Sequence, residues 1–229
     1  MLSLLIASIG VGMPIAEALA EASLDPVPVI GQRESTMTQQ SINQALETVK
    51  KIPGGASIVD MSVVGEGRVS TWTDSLGMAP GVFIQDRFGS EEARISMRGS
   101  ALSRTFHSFG IKILQDGIPI NYADGFFDMQ TIDPSAARYV EVIRGANALG
   151  YGASTLGGAI NYVSPTGYDS PKFLGRAEAG SFGYARLQAI TGGVVKPTDG
   201  NGNVWDYNIS ANAMTQDGYR NHSAQNSEK

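Results

Sequence analysis

Residues 140–164 read VEVIRGANALGYGASTLGGAINYVS, five glycines set between two runs with the composition of β-strands. Glycine is placed this densely after a strand for two reasons. It cradles phosphate, or it lets strand, short helix and strand close tightly on one another. A dinucleotide fingerprint needs a third glycine where Thr155 follows Gly150 and Gly152. A P-loop needs lysine directly after Gly157, and residue 158 is glycine. Both phosphate patterns fail, so these glycines serve the backbone, permitting positive φ and close approach.

The sequence before this stretch has the same texture. VFIQD (82–86), RISMRG (94–99), IKILQDG (111–117) and YVEVIRG (139–145) are short strands with apolar centres, separated by turns. Residues 72–78 are expected to form a helix with Leu76 turned inward. Asp133-Pro134 supplies an N-cap acid and a proline at the first helical position, the start of another. An apolar period (Ile42, Ala45, Leu46, Val49) marks a helical segment ahead of the turn and short strand in IPGGASIVD. From 57 to 164 the chain therefore reads as a compact α+β unit. Arg98 and Arg144 each end a strand directly before glycine, and Glu141 shares a strand with Arg144. Charges in so apolar a context need partners. Three readings fit them: internal pins, contacts to an enclosing wall, or solvated strand ends.

Beyond Pro165 the pattern changes to alternation. In VWDYNISANAMTQ, Val204, Asp206, Asn208, Ser210, Asn212, Met214 and Gln216 share one face, which is mostly polar. Trp205, Tyr207, Ile209, Ala211 and Ala213 share the other, which is apolar and aromatic. Residues 184–195 alternate less strictly, with Tyr184, Arg186 and Gln188 opposite Ala185, Leu187 and Ala189; Leu174, Arg176 and Glu178 share a side in 173–181. Ordinary strands run about 5–6 residues. Longer alternating ones suit tilted membrane strands with an apolar lipid side and a polar lumen side. A soluble sandwich with one wet face has the same alternation, and three strands are too few to close a barrel, which needs about 8.

At the other end, residues 2–16 carry no charge, and Ala18-Leu19-Ala20 follows as a small-residue cleavage pattern. The run is too short for a membrane span of about 20 residues and suits a signal peptide, here 1–20, although no basic residue precedes Arg33. Residues 21–50 read as a periplasmic tether, 51–165 as the α+β unit and 166–229 as the alternating strands.

Composition narrows the function. The net charge of −5 and the lack of a basic stripe argue against nucleic acid. With no cysteine among 229 residues there is no disulfide and no thiolate metal site. His107 and His222 have no acid or histidine partner at helical spacing. Asp199-Gly200-Asn201 resembles a calcium loop only superficially, since its sixth position is Val204 rather than glycine. Neither GxSxG nor HExxH occurs, so no catalytic residue, metal or cofactor is expected.

These motifs, in this order, resemble the plug domain of TonB-dependent outer-membrane receptors over residues 53–165. IPGGASIVD is similar to the family's opening strand, LGMAPGVFIQD to its PGV segment, ISMRGS to its RG strand and ILQDGIPIN to its DG strand. IDPSAARYVEVIRGANALGYGASTLGGAINYVS resembles the closing signature, with Ala146 where the family often has proline. The resemblance implies an α+β plug domain followed by the start of an antiparallel transmembrane β-barrel, incomplete here, and a function in active uptake without catalysis. It makes Asp25, Pro26, Val27, Pro28, Val29 and Ile30 the segment contacting TonB on the periplasmic side, by strand addition. The plug's outward apices would carry Arg87, Arg104, Phe106, His107, Tyr122, Phe126 and Phe127, a cationic and aromatic set suited to an iron chelate such as a ferric siderophore, though it would also serve haem, cobalamin or a glycan. Arg98, Glu141 and Arg144 would be charged plug–barrel contacts. The chain then reads as a non-transporting fragment of an exported outer-membrane receptor. The other reading is a stand-alone periplasmic ligand-binding module.

Overall fold

A computed structural model describes residues 40–69, 71–87, 89, 91–100, 109–197 and 203–229. Helix α1 (Ile42–Lys50) begins with a capping box: Ser41 Oγ accepts from the Gln44 backbone, and Gln44 Oε1 accepts from Ser41 N at 3.0 Å. Its fully buried Ala45 packs on Tyr139 and Val163. Within the segment read as a tether, this short apolar stripe packs on the α+β unit.

That unit is built on a five-stranded sheet. Its strands are β1 (Ala56–Asp60), β4 (Ile111–Gln115), β5 (Ile118–Pro119), β6 (Tyr139–Arg144) and β7 (Gly158–Val163), in the order β1-β6-β7-β4-β5. Only the β4–β7 pair is parallel. The glycine-rich stretch supplies two adjacent strands, β6 and β7, joined by a 3-10 turn (Gly145–Tyr151). Every residue of β7 is buried, so the sheet is covered on both faces. On one face Ile160 and Tyr162 join Trp72, Leu76, Ile95 and Met97; on the other Ala159 meets Leu114, Ile143 and Ala148.

The remaining elements of the unit close the first face. They are α2 (Met61–Val64), α3 (Trp72–Leu76) and a hairpin of β2 (Val82–Asp86) and β3 (Ala93–Met97). Trp72 meets Tyr162 edge-on, with centroids 5.3 Å apart at 78°. Asp133 does cap a helical segment, but it is a single 3-10 turn (Pro134–Ala136) rather than an α-helix.

The alternating region forms one antiparallel sheet of β8 (Leu174–Ala179), β9 (Ala185–Val195), β10 (Trp205–Gln216) and β11 (Gln225–Glu228), in the order β11-β10-β9-β8. Four strands stand where three are legible, because β11, drawn from the last polar stretch, pairs with the C-terminal end of β10. Among the described residues this sheet does not close on itself. The 12 residues of β10 extend roughly 40 Å at about 3.4 Å each. Tilted by about 45°, such a strand crosses the ~25 Å apolar band of a membrane barrel. Its faces divide as the alternation requires. Leu187, Trp205, Tyr207 and Ile209 are exposed on the outer side, whereas Arg186, Gln188 and Met214 are buried against the α+β unit. No helix among the described residues is long and apolar enough to cross a membrane, which says nothing of strands.

Candidate functional site

The polar side of the long strands meets the α+β unit through a connected set of hydrogen bonds. Arg186 on β9 is only 4% exposed. Its Nε donates to Asn212 Oδ1 at 2.8 Å, Nη1 to the Val69 carbonyl, and Nη2 to Ser135 Oγ at 2.5 Å; the Asp133 carboxylate lies 3.9 Å away. Gln188 Nε2 donates to the same hydroxyl at 2.9 Å, and Asn212 Nδ2 to Asp133 Oδ2 at 3.0 Å. Capping fixes the acceptors in place. Asp133 Oδ1 accepts from Ser135 N at 3.0 Å and from its hydroxyl at 2.6 Å. A buried guanidinium is tolerated only when its donors are matched in this way.

Two further anchors flank this centre. Arg176 on β8 donates to the Gly65 carbonyl at 2.7 Å and to that of Gly67, and pairs with Glu178 at 2.6 Å. At the end of β11, Lys229 Nζ donates to the Ile132 carbonyl at 3.0 Å and lies 3.2 Å from Glu91, which also accepts from Ser227 Oγ. Interface polarity was legible in the alternation of Arg176, Arg186, Gln188 and Asn212. Their partners Asp133, Ser135 and Glu91 were not, because nothing local marks a capping acid as a long-range acceptor.

Arg98, Glu141 and Arg144, expected at the wall, have hydrogen-bond partners within the plug among the described residues, Arg98 while itself exposed. Arg144 Nη1 donates to the Pro80 carbonyl, and its backbone N to Gly55 O at 2.8 Å. Arg98 reaches the Gly54 carbonyl at 3.4 Å and lies over Gly145. Glu141 accepts from Asn161 Nδ2 at 2.8 Å. The reason is topological: β6 lies between β1 and β7, so Glu141 faces its register partner Asn161 across the sheet.

Of the expected outward residues, Tyr122 and Phe126 come together. They form a tight turn in which Tyr122 N donates to Phe126 O at 2.7 Å, and their rings stack 5.4 Å apart. Tyr122 is exposed and Phe126 half-buried. Phe127 is instead a core residue, 2% exposed, since the chain direction that turns Phe126 out turns its neighbour in. Arg87 is half-buried at the β2–β3 hairpin, its N donating to Glu92 O at 3.0 Å. Arg104, Phe106, His107 and the segment 25–30 lie outside the described residues. Among those described, no group of three or more acidic or histidine side chains is placed to hold a metal ion.

Residues 48–159 match the family model of the TonB-dependent Receptor Plug Domain. The chain is similar to the ferric-pyoverdine receptor PbuA of a Pseudomonas species, 24% identical over 187 residues, covering 80% of this chain and 22% of that protein. It is similar also to a hemin receptor of Yersinia enterocolitica, 28% identical over 60% of this chain and 15% of the relative. The vitamin B12 transporter BtuB of Vibrio vulnificus is 26% identical over 72% of this chain and 27% of its own length. This chain thus spans about a quarter or less of the curated relatives it matches. The fold agrees with the siderophore receptor PirA of Acinetobacter baumannii, at a TM-score of 0.50 and 20% identity, covering 75% of this chain and 26% of that one. All of these are receptors or transporters rather than enzymes. With the glycine-rich closure, the mixed sheet and the family match coinciding, residues 48–159 are the plug domain of a TonB-dependent receptor, and the chain belongs to that family.

Proposed function

We propose that the protein acts in TonB-dependent uptake across the outer membrane, with an iron chelate, foremost a ferric siderophore, as cargo. One observation carries this reading. The plug is hydrogen-bonded to the polar face of a long-stranded antiparallel sheet whose other face exposes Leu187, Trp205, Tyr207 and Ile209, the division a lipid-facing wall requires. Two of the three relatives above are named for iron chelates and the third for vitamin B12. Tyr122, stacked with Phe126, offers an aromatic platform, and Arg87 a positive charge, for a planar anionic chelate. Arg104, Phe106 and His107 extend that set. Residues 1–20 direct export. Asp25, Pro26, Val27, Pro28, Val29 and Ile30 add as a strand to TonB.

Cells expressing the gene that encodes this chain, otherwise lacking siderophore receptors, test the reading. Radiolabelled iron taken up as a siderophore complex, and lost when TonB is deleted, is the expected result. Uptake of cobalamin alone would reject the iron chelate; no TonB dependence would reject the mechanism.

A further inference from the structure

A cavity of about 30 Å³ lies at the junction of plug and sheet. Its walls include Trp72, Glu91 and Asp133 from the plug and Arg186, Asn212 and Lys229 from the sheet. Two carboxylates face two cations, so the lining favours a neutral hydrogen-bonding occupant over an ion. Trp72 is 1% exposed, and its indole N–H has no hydrogen-bond partner among the described residues. Leaving a buried donor unpaired costs about 1–3 kcal/mol. The ring is not free to turn towards a side chain, because its edge-on contact with Tyr162 and its place in the core fix it.

Space and chemistry together identify the occupant. A cavity of about 10–15 Å³ or more admits a water molecule, which needs two to four polar partners. An ionised carboxylate offers about four acceptor positions. Asp133 uses three of these, for Ser135 N, Ser135 Oγ and Asn212 Nδ2, and Glu91 accepts from Ser227 and Lys229. Val69, Pro134 and Met214 add apolar surface to the wall, and Thr71 a further polar side chain.

We propose that this cavity is a hydration site, in which one water accepts from Trp72 Nε1 and donates to the carboxylates of Glu91 and Asp133. The water links the plug core, through the Trp72–Tyr162 pair, to the two acids that hold Arg186 and Lys229. The inference does not depend on the cargo or on TonB, so it stands or falls separately from the uptake function.

The chain has two tryptophans, and Trp205 lies exposed on the outer sheet face. Trp205→Phe therefore leaves Trp72 as a single probe without touching the cavity. With indole-¹⁵N label in detergent micelles, the Trp72 N–H proton is expected to show direct cross-relaxation to water. Its contact to the Tyr162 ring in the same spectrum reports that the core is intact. Glu91→Gln, which keeps an acceptor, is expected to retain the water signal. An intact core with no water cross-peak overturns the proposal, whether the N–H is then bonded to a side chain or to nothing. The unsubstituted chain gives the same readout, because an exposed and a buried indole resonate apart.

Discussion

Gly145 has a φ of 64°, and a Cβ built there would run into the guanidinium of Arg98. The left-handed backbone strains any side chain at the point where β6 leaves the sheet, and a Cβ there would also displace the Arg98 guanidinium. Gly145→Ala is expected to destabilise the plug by about 1–3 kcal/mol, the range for a left-handed non-glycine residue, read as a lowered thermal midpoint. Gly158, with φ 149°, is the stricter case, because a Cβ there would run into the Ile143 backbone carbonyl. Tyr139 gives a residue-scale prediction of another kind. Burial, with the Glu141 charge adding to it, raises its phenol from 10.0 to about 12, while its hydroxyl donates to the Gln40 carbonyl at 3.2 Å. The folded state therefore holds this proton where the unfolded chain releases it. That stability is complete below pH 10 and is lost as pH rises through about 12. Tyr139→Phe should flatten the loss of stability across that window. A slope unchanged in alkaline denaturation would show that the phenol does not contribute.

At the scale of elements, the 3-10 turn Pro134–Ala136 and strand β9 act as one joint. Asp133→Asn keeps the shape of the cap but removes the charge facing Arg186. The expected loss is about 1.5–3 kcal/mol, the worth of hydrogen bonds to a charged group, measured by thermal denaturation in micelles. On the outer face, Ile209→Lys is expected to cost about 2–4 kcal/mol of insertion into lipid if the residue lies near the bilayer midplane. The same change at Ser62, exposed on the plug, should leave insertion unaltered. Much of this architecture is legible in the sequence. The period-two pattern of VWDYNISANAMTQ defines β10 nearly to the residue, and the apolar centres of VFIQD and YVEVIRG define β2 and β6. What escaped was non-local. QNSE carries no apolar alternation and becomes β11 only because β10 offers it an edge. The partners of Arg98 and Arg144 were open in the sequence because strand ends look alike whether they meet a wall or their own domain.

In the whole molecule, plug and long-stranded sheet form one hydrogen-bonded body, which the proposed function sets in the outer membrane. The family and the two-part fold were legible in the ordered motifs, whereas the plug–sheet register was not, since it depends on which polar strand residue meets which plug turn. The absence of native cysteine makes that register directly measurable. Ser135 and Gln188 touch across the junction, with Gln188 Nε2 2.9 Å from Ser135 Oγ. In outer-membrane fractions from cells expressing Ser135→Cys with Gln188→Cys, a short bis-methanethiosulfonate reagent, spanning the gap left by the shortened Gln188 side chain, is expected to cross-link plug to sheet. The cross-link is read as a shifted band that reduction reverses and that either single variant lacks. The double variant recovered in the soluble periplasm, or in the outer membrane without any cross-link, would contradict the account.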